Sequence, residues 1–247
     1  MESRAQERLA PIRLHCFPHA GGGAAFYGRW RRHLPDGVVV APMELPGHGS
    51  RLQEPPFDDF EPLVEHVARR VRADDGHRVV LLGHSFGALL AFEVARLLTA
   101  AGRLPAALIV CGRDAPTVRS PTPAPHELPD DAFLAAIRRL GGIPAELDDQ
   151  LDIVRAYLPA LRADLLMADR YRRGEGPALD LPLLAFGGVN DGLTTSDGMA
   201  AWQQETTSTF ELTILAGGHF FVRDVAFLDI LCHHLDRFGT EPGHSRE

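Results

Sequence analysis

Gly83-His84-Ser85-Phe86-Gly87 has the residue types and spacing of a serine set in a sharp strand-to-helix turn. An apolar run, Val79 to Leu82, precedes it, and a strongly apolar helical pattern, Gly87 to Leu98, follows. In that setting the glycines let the turn pack closely and leave the serine oxygen exposed. The helix N-terminus favours negative charge beside Ser85. The bland alternative is a serine that merely caps the helix. A hydroxyl attacks only when a base takes its proton, and that base is a histidine whose second ring nitrogen is held by a carboxylate. Among 12 histidines, His219 stands in Gly217-Gly218-His219-Phe220-Phe221, just after the last strand-like run. Loops at the carboxyl ends of strands build the site of an open α/β sheet, which places His219 at the right end. His84 is too close to Ser85 along the chain to serve. Asp191 and Asp114 each follow a strand-like run, and either could hold the histidine. Asp191 is preferred because it comes one strand before His219, although Asn190-Asp191-Gly192 is also strong turn chemistry.

Acyl transfer also needs donors for an oxyanion. The residue after the nucleophile, Phe86, offers one backbone N–H. The loop Pro18-His19-Ala20-Gly21-Gly22-Gly23 offers the second, with Ala20 preferred and Gly21 next. A dinucleotide-type glycine loop is a poor alternative, since no GxGxxG pattern or later ribose-binding acid accompanies it. No set of metal ligands emerges. No metal or cofactor is expected.

The elements that must position these residues alternate. Strand-like runs occur at Ile12 to Phe17, Val38 to Met43, Val79 to Leu82, Ala106 to Cys111, Leu181 to Phe186 and Phe210 to Leu215. Helical patterns occupy Phe60 to Val71, Gly87 to Leu98, Met199 to Gln204 and Val225 to Phe238. The alternation implies a mainly parallel sheet flanked by helices on both faces. The rhythm breaks from about 112 to 180. A Pro-rich stretch, Pro116 to Pro129, is followed by helical patterns at Asp130 to Leu140, after Pro144, and at Leu151 to Arg172. This segment reads as a helical insertion, a candidate lid, within a single domain spanning 1–247.

Composition removes several chemistries. With 25 basic and 33 acidic residues the net charge is −8, and an acidic surface is a poor match for a phosphate backbone, so no nucleic acid partner is expected. Every basic residue is Arg, which excludes a Schiff-base lysine and a P-loop lysine. The Arg29, Arg31 and Arg32 cluster could attract an acidic partner or be a solvated face. Cys16, Cys111 and Cys232 lie in apolar neighbourhoods without a CxxC pair, the pattern of buried reduced thiols. No apolar stretch reaches 18 residues, so no membrane association and a cytoplasmic monomer are expected.

With these residues placed, the chain resembles the type II thioesterases of polyketide and nonribosomal peptide synthases over nearly its whole length. Phe17 to Gly22 resembles that family's oxyanion loop, and Glu44-Leu45-Pro46-Gly47-His48-Gly49-Ser50-Arg51 its second loop motif. The nucleophile elbow Gly83 to Gly87, the Gly187 to Asp191 stretch and the Gly217 to Phe221 stretch complete five motifs in order. Asp114 departs from the family pattern. His48 itself reads as a turn residue. The resemblance implies an α/β-hydrolase fold and a Ser85–His219–Asp191 triad. It also implies a substrate acyl group on the phosphopantetheine arm of an acyl or peptidyl carrier protein, removed by editing hydrolysis. A carboxylesterase or peptidase, and a non-catalytic ligand-binding member of the fold, are the competing readings. A histidine base must be neutral, so activity is expected to rise with pH through about 6–7.

Overall fold

The computed structural model describes residues 11–72, 76–118, 125–142 and 151–239. Six apolar runs become β1 (Ile12–Phe17), β2 (Val38–Pro42), β3 (Arg78–His84), β4 (Ala107–Cys111), β5 (Leu183–Gly188) and β6 (Phe210–Leu215). They lie side by side in the order β2-β1-β3-β4-β5-β6, and every pairing is parallel. Parallel neighbours need crossovers. These are supplied by α1 (Phe60–Arg72), α2 (Phe86–Ala100), α5 (Ser196–Ala200) and by the helices between β4 and β5; α6 (Val225–Gly239) follows β6. This is the architecture of an α/β-hydrolase.

Successive strand residues face opposite ways. Leu81, Leu108, Val110, Leu183 and Ala185 pack with α1, α2 and Trp202 on one face. Val80, Leu82, Ile109, Leu184 and Phe186 pack with Tyr27, Trp30 and the α6 residues Phe227 and Leu231 on the other. Both faces are therefore covered, which is why the strands read as unbroken apolar runs.

Most expected boundaries move by one or two residues, and two of the shifts have clear local reasons. The run from Leu181 begins as a strand only at Leu183, because Pro182 has no N–H to give a neighbouring strand. The helix expected at Met199 to Gln204 is split into α5 and a 3₁₀ turn over Ala201–Glu205. Between β4 and β5 stand α3 (Asp130–Arg139) and α4 (Leu151–Arg170), with no strand among the described residues of that stretch. Phe133, Leu134 and Ile137 of α3 and Val154 and Leu158 of α4 form a small apolar cluster of their own. Further along α4, Met167 and Ala168 join the large cluster under the sheet. The helical piece expected after Pro144 lies outside the described residues.

The strand order fixes where a site can form. β1 lies between β2 and β3, so the chain leaves β1 to one side and later returns on the other. A crevice opens outside the carboxyl ends at such a switch point. Phe17 pairs with Gly83 at the end of the β1–β3 ladder, so the loops after these strands emerge at one level.

Candidate active site

The turn after β3 is strained. Ser85 has φ 56° and ψ −117° and, among the described residues, is the only non-glycine with positive φ. Such a conformation costs about 1–3 kcal/mol and persists only where the surroundings enforce it. The Ser85 N–H donates to the Cys111 carbonyl at 2.8 Å, tying the turn to the end of β4. A Cβ at Gly83 would collide with the Gly87 carbonyl, and one at Gly87 with the Phe17 carbonyl. Both glycines are thus required by close approach of backbone. The Ser85 side chain makes no capping hydrogen bond to α2. Thr195, by contrast, caps α5 in the ordinary way by accepting from the Gly198 N–H at 2.9 Å. Ser85 is half-buried between neighbours that are fully buried.

His219 and Asp191 meet directly. His219 Nδ1 lies 2.8 Å from Asp191 Oδ2, and the Asp191 side chain has no exposed surface. Asp191 Oδ1 accepts the Leu193 N–H at 2.9 Å. One carboxylate therefore completes an Asx turn and orients an imidazole, a separate oxygen for each. Gly112, which follows Cys111, faces the same ring: a Cβ there would lie 3.4 Å from His219 Cε1. The rim that carries Ser85 and Cys111 is thus the rim that carries His219.

Asp114 takes another post. Its Oδ1 accepts the Thr195 N–H at 3.0 Å, and a Cβ on Gly198 would strike its carboxylate. It braces the start of α5, just beyond the Asp191 turn, and burial pushes its pKa up. His84 also has a support role in the fold. Its Nε2 donates to the His219 carbonyl at 2.8 Å, and the two rings lie 4.9 Å apart. Burial, reinforced by the charges of His219 and His19, pulls the His84 pKa well down and keeps it neutral. His19 is driven to about 3 by burial first, then by His219, Arg223 and His48.

Neither the Phe86 N–H nor the Ala20 N–H donates to an acceptor among the described residues. The Gly21 N–H is already committed, donating to Asp164 Oδ2 at 2.8 Å. That separates the two glycine-loop candidates: Ala20 has a free donor and Gly21 does not. Glu44 stitches the loop down, accepting the Ala24 N–H at 2.9 Å and the Ser50 N–H at 3.2 Å.

Sequence reading missed His48 and Asp164. His48 lies in a turn, as read, but it is 1% exposed and contacts Asp164 of α4. The local signal was only the motif that contains it. Of the three cysteines, Cys16 and Cys111 are buried, and burial raises their pKa. Cys232 is a correction: it is only half-buried, its thiol directed at the His33 carbonyl at 3.2 Å. Among the described residues no three His, Cys, Asp or Glu side chains converge as a metal site, and no helix is long and apolar enough to cross a membrane.

The chain is similar to known thioesterases. The family model for the thioesterase domain matches residues 12–238. The gramicidin S biosynthesis protein GrsT of Aneurinibacillus migulanus is 33% identical over 229 residues, covering 92% of this chain and 90% of that protein. The solved structure of RedJ, a thioesterase from the prodiginine pathway of Streptomyces coelicolor, superposes with TM-score 0.83 at 40% identity, covering 93% and 86% of the two chains. The type II thioesterase BorB from the borrelidin cluster superposes with TM-score 0.84 at 37% identity, covering 91% and 92%.

Proposed function

This chain belongs to the thioesterase domain family, and from that premise we propose that it hydrolyses acyl groups carried as thioesters on the phosphopantetheine arm of an acyl or peptidyl carrier protein. The role is editing: removal of aberrant acyl chains from a polyketide or nonribosomal peptide synthase in the cytoplasm. The observation that carries the reading is the buried His219–Asp191 pair on the same sheet rim as the strained Ser85.

Ser85 Oγ attacks the thioester carbonyl while His219 Nε2 takes its proton and Asp191 stabilises the imidazolium. The Phe86 and Ala20 N–H groups receive the oxyanion, each such donor being worth about 2.7–4 kcal/mol in the transition state. His219 then gives its proton to the departing pantetheine sulfur. Water, deprotonated by His219, attacks the acyl-serine, and the acid leaves as Ser85 regains its proton. In this reading the helical insertion serves as a lid, supported by the packing of α4 on the oxyanion loop: a Cβ on Gly21 would lie 3.0 Å from Leu161 Cδ1.

The test is mass spectrometry of carrier proteins loaded with acyl groups of graded length and incubated with wild type or Ser85→Ala. Ser85→Ala is expected to lose several orders of magnitude in turnover and its labelling by a fluorophosphonate probe. Retained turnover would remove Ser85 from the mechanism. Equal rates on free oxygen esters would make the protein a general esterase.

A further inference from the structure

His48 is clamped between two acceptors. Its Nδ1 lies 2.9 Å from the Pro46 carbonyl oxygen and its Nε2 2.9 Å from Asp164 Oδ2. A carbonyl and a carboxylate only accept, so both ring nitrogens must donate, and only the imidazolium carries two N–H groups. The ring is 1% exposed and Asp164 2%, so this is an ion pair sealed from water. Burial alone pulls the His48 pKa down. The bond to Asp164 and its charge, the Pro46 carbonyl and Glu44 outweigh burial and leave it raised. The other titratable group nearby, His19, is neutral.

The same Asp164 oxygen also accepts the Gly21 N–H at 2.8 Å. Gly21 is the residue after Ala20, and its φ of +71° turns the loop sharply there. One turn back on α4, Leu161 packs on Gly21; residues 161 and 164 share a helix face. Helix α4 therefore grips the oxyanion loop with one apolar and one charged side chain.

The geometry points to the His48 imidazolium and Asp164 as the positioning pair of the oxyanion hole: Asp164, fixed by the charge on His48, holds the Gly21 N–H and so aims the neighbouring Ala20 N–H at the reacting carbonyl. This rests on the proposed role of Ser85 and extends it to the loop geometry. Seating of α4 and completion of the hole become one event, because one oxygen atom takes part in both. A misplacement of about 1 Å at such a donor costs on the order of a hundredfold in rate.

The experiment has two arms. In the first, wild type with ¹⁵N-labelled histidine is titrated by NMR. His48 is expected to keep protons on both ring nitrogens at pH 7 and to lose one only above the ordinary histidine range. Asp164→Asn is expected to return it to a neutral ring at pH 7. In the second arm, Asp164→Asn and the paired apolar variant His48→Met/Asp164→Leu are assayed on an acyl thioester. Filling a buried ion-pair site with apolar side chains is generally tolerated by a fold, so the pair isolates the lost hold on Gly21. Turnover is expected to fall about 10- to 100-fold with KM little changed. The wild-type decline in kcat at high pH, as His48 loses its proton, should be missing in Asp164→Asn. A neutral His48 at pH 7 in wild type, or wild-type kcat in the paired variant, overturns the assignment. Neither result touches the Ser85 reading, which stands or falls with Ser85→Ala.

Discussion

Replacing Asp191 by Asn tests the site at its most defined contact. The two carboxylate oxygens are divided: Oδ1 accepts the Leu193 N–H at 2.9 Å and Oδ2 faces His219 Nδ1 at 2.8 Å. In the variant the amide oxygen stays with the Leu193 N–H, since an NH₂ there would oppose another donor. The NH₂ is then forced onto His219 Nδ1. That nitrogen must accept, so the ring proton moves to Nε2, and the base arrives already protonated. The Asp→Asn change in a well-studied Ser-His-Asp protease triad lowers kcat by about 10⁴-fold, roughly 5 kcal/mol of barrier, and a loss of that size is expected here under the proposed mechanism. Asp114→Asn is the matched control. Its amide oxygen can still accept the Thr195 N–H, and it does not touch His219. It is expected to cost about 1 kcal/mol of stability and to leave kcat within a few-fold. The assay is hydrolysis of an acyl-N-acetylcysteamine thioester with titration of the released thiol, alongside thermal melts to verify folding. Asp191→Asn within tenfold of wild type, or a larger loss for Asp114→Asn, would refute the assignment.

Ser85→Gly should abolish turnover yet raise stability by about 1 kcal/mol, because glycine relieves the positive φ; an unchanged or lower melting temperature would contradict the strain. Gly87→Ala should fail to fold or lose all turnover, since its Cβ would run into the Phe17 carbonyl; wild-type behaviour would show the turn to be looser than described. His48 gives a pH signature in stability. Its folded pKa is raised by Asp164, so the advantage of wild type over His48→Gln is full below about 6.5 and fades as pH climbs through the folded value. Melting temperatures of both proteins across pH 5.5–9 check this, and a gap that widens with pH would reverse the sign.

The fold was legible where its determinants are local. Ile12 to Phe17 and Phe210 to Leu215 fall on β1 and β6 to the residue, being apolar runs with clear stops. The elbow was legible because its glycines, strand and helix are contiguous. Asp191 was preferred to Asp114 for its place one strand before His219, but both follow strands, so the residues supplied a preference and not a contact. What separates them is which loop end faces His219, and that depends on the β4–β5–β6 ladder. His48 and Asp164 lie 116 residues apart, one in a glycine turn and one among three acids on a 20-residue helix. Neither neighbourhood betrays burial, so only tertiary packing makes them a pair. Cys232 misled for the opposite reason: an apolar sequence neighbourhood on α6 placed it at the margin of the core.

Helix α4 is anchored unevenly. Val154 and Leu158 belong to the small cluster with α3, whereas Met167 and Ala168 are sunk in the main core. Pro159, between them, has no amide hydrogen to return to the preceding turn. The two halves of one helix therefore have different opening free energies. Amide-exchange protection should step upward past Pro159, with the outer half and α3 breathing as a cooperative unit while the sheet stays closed. A long acyl chain could then be admitted by a fluctuation that leaves the hydrolytic framework undisturbed.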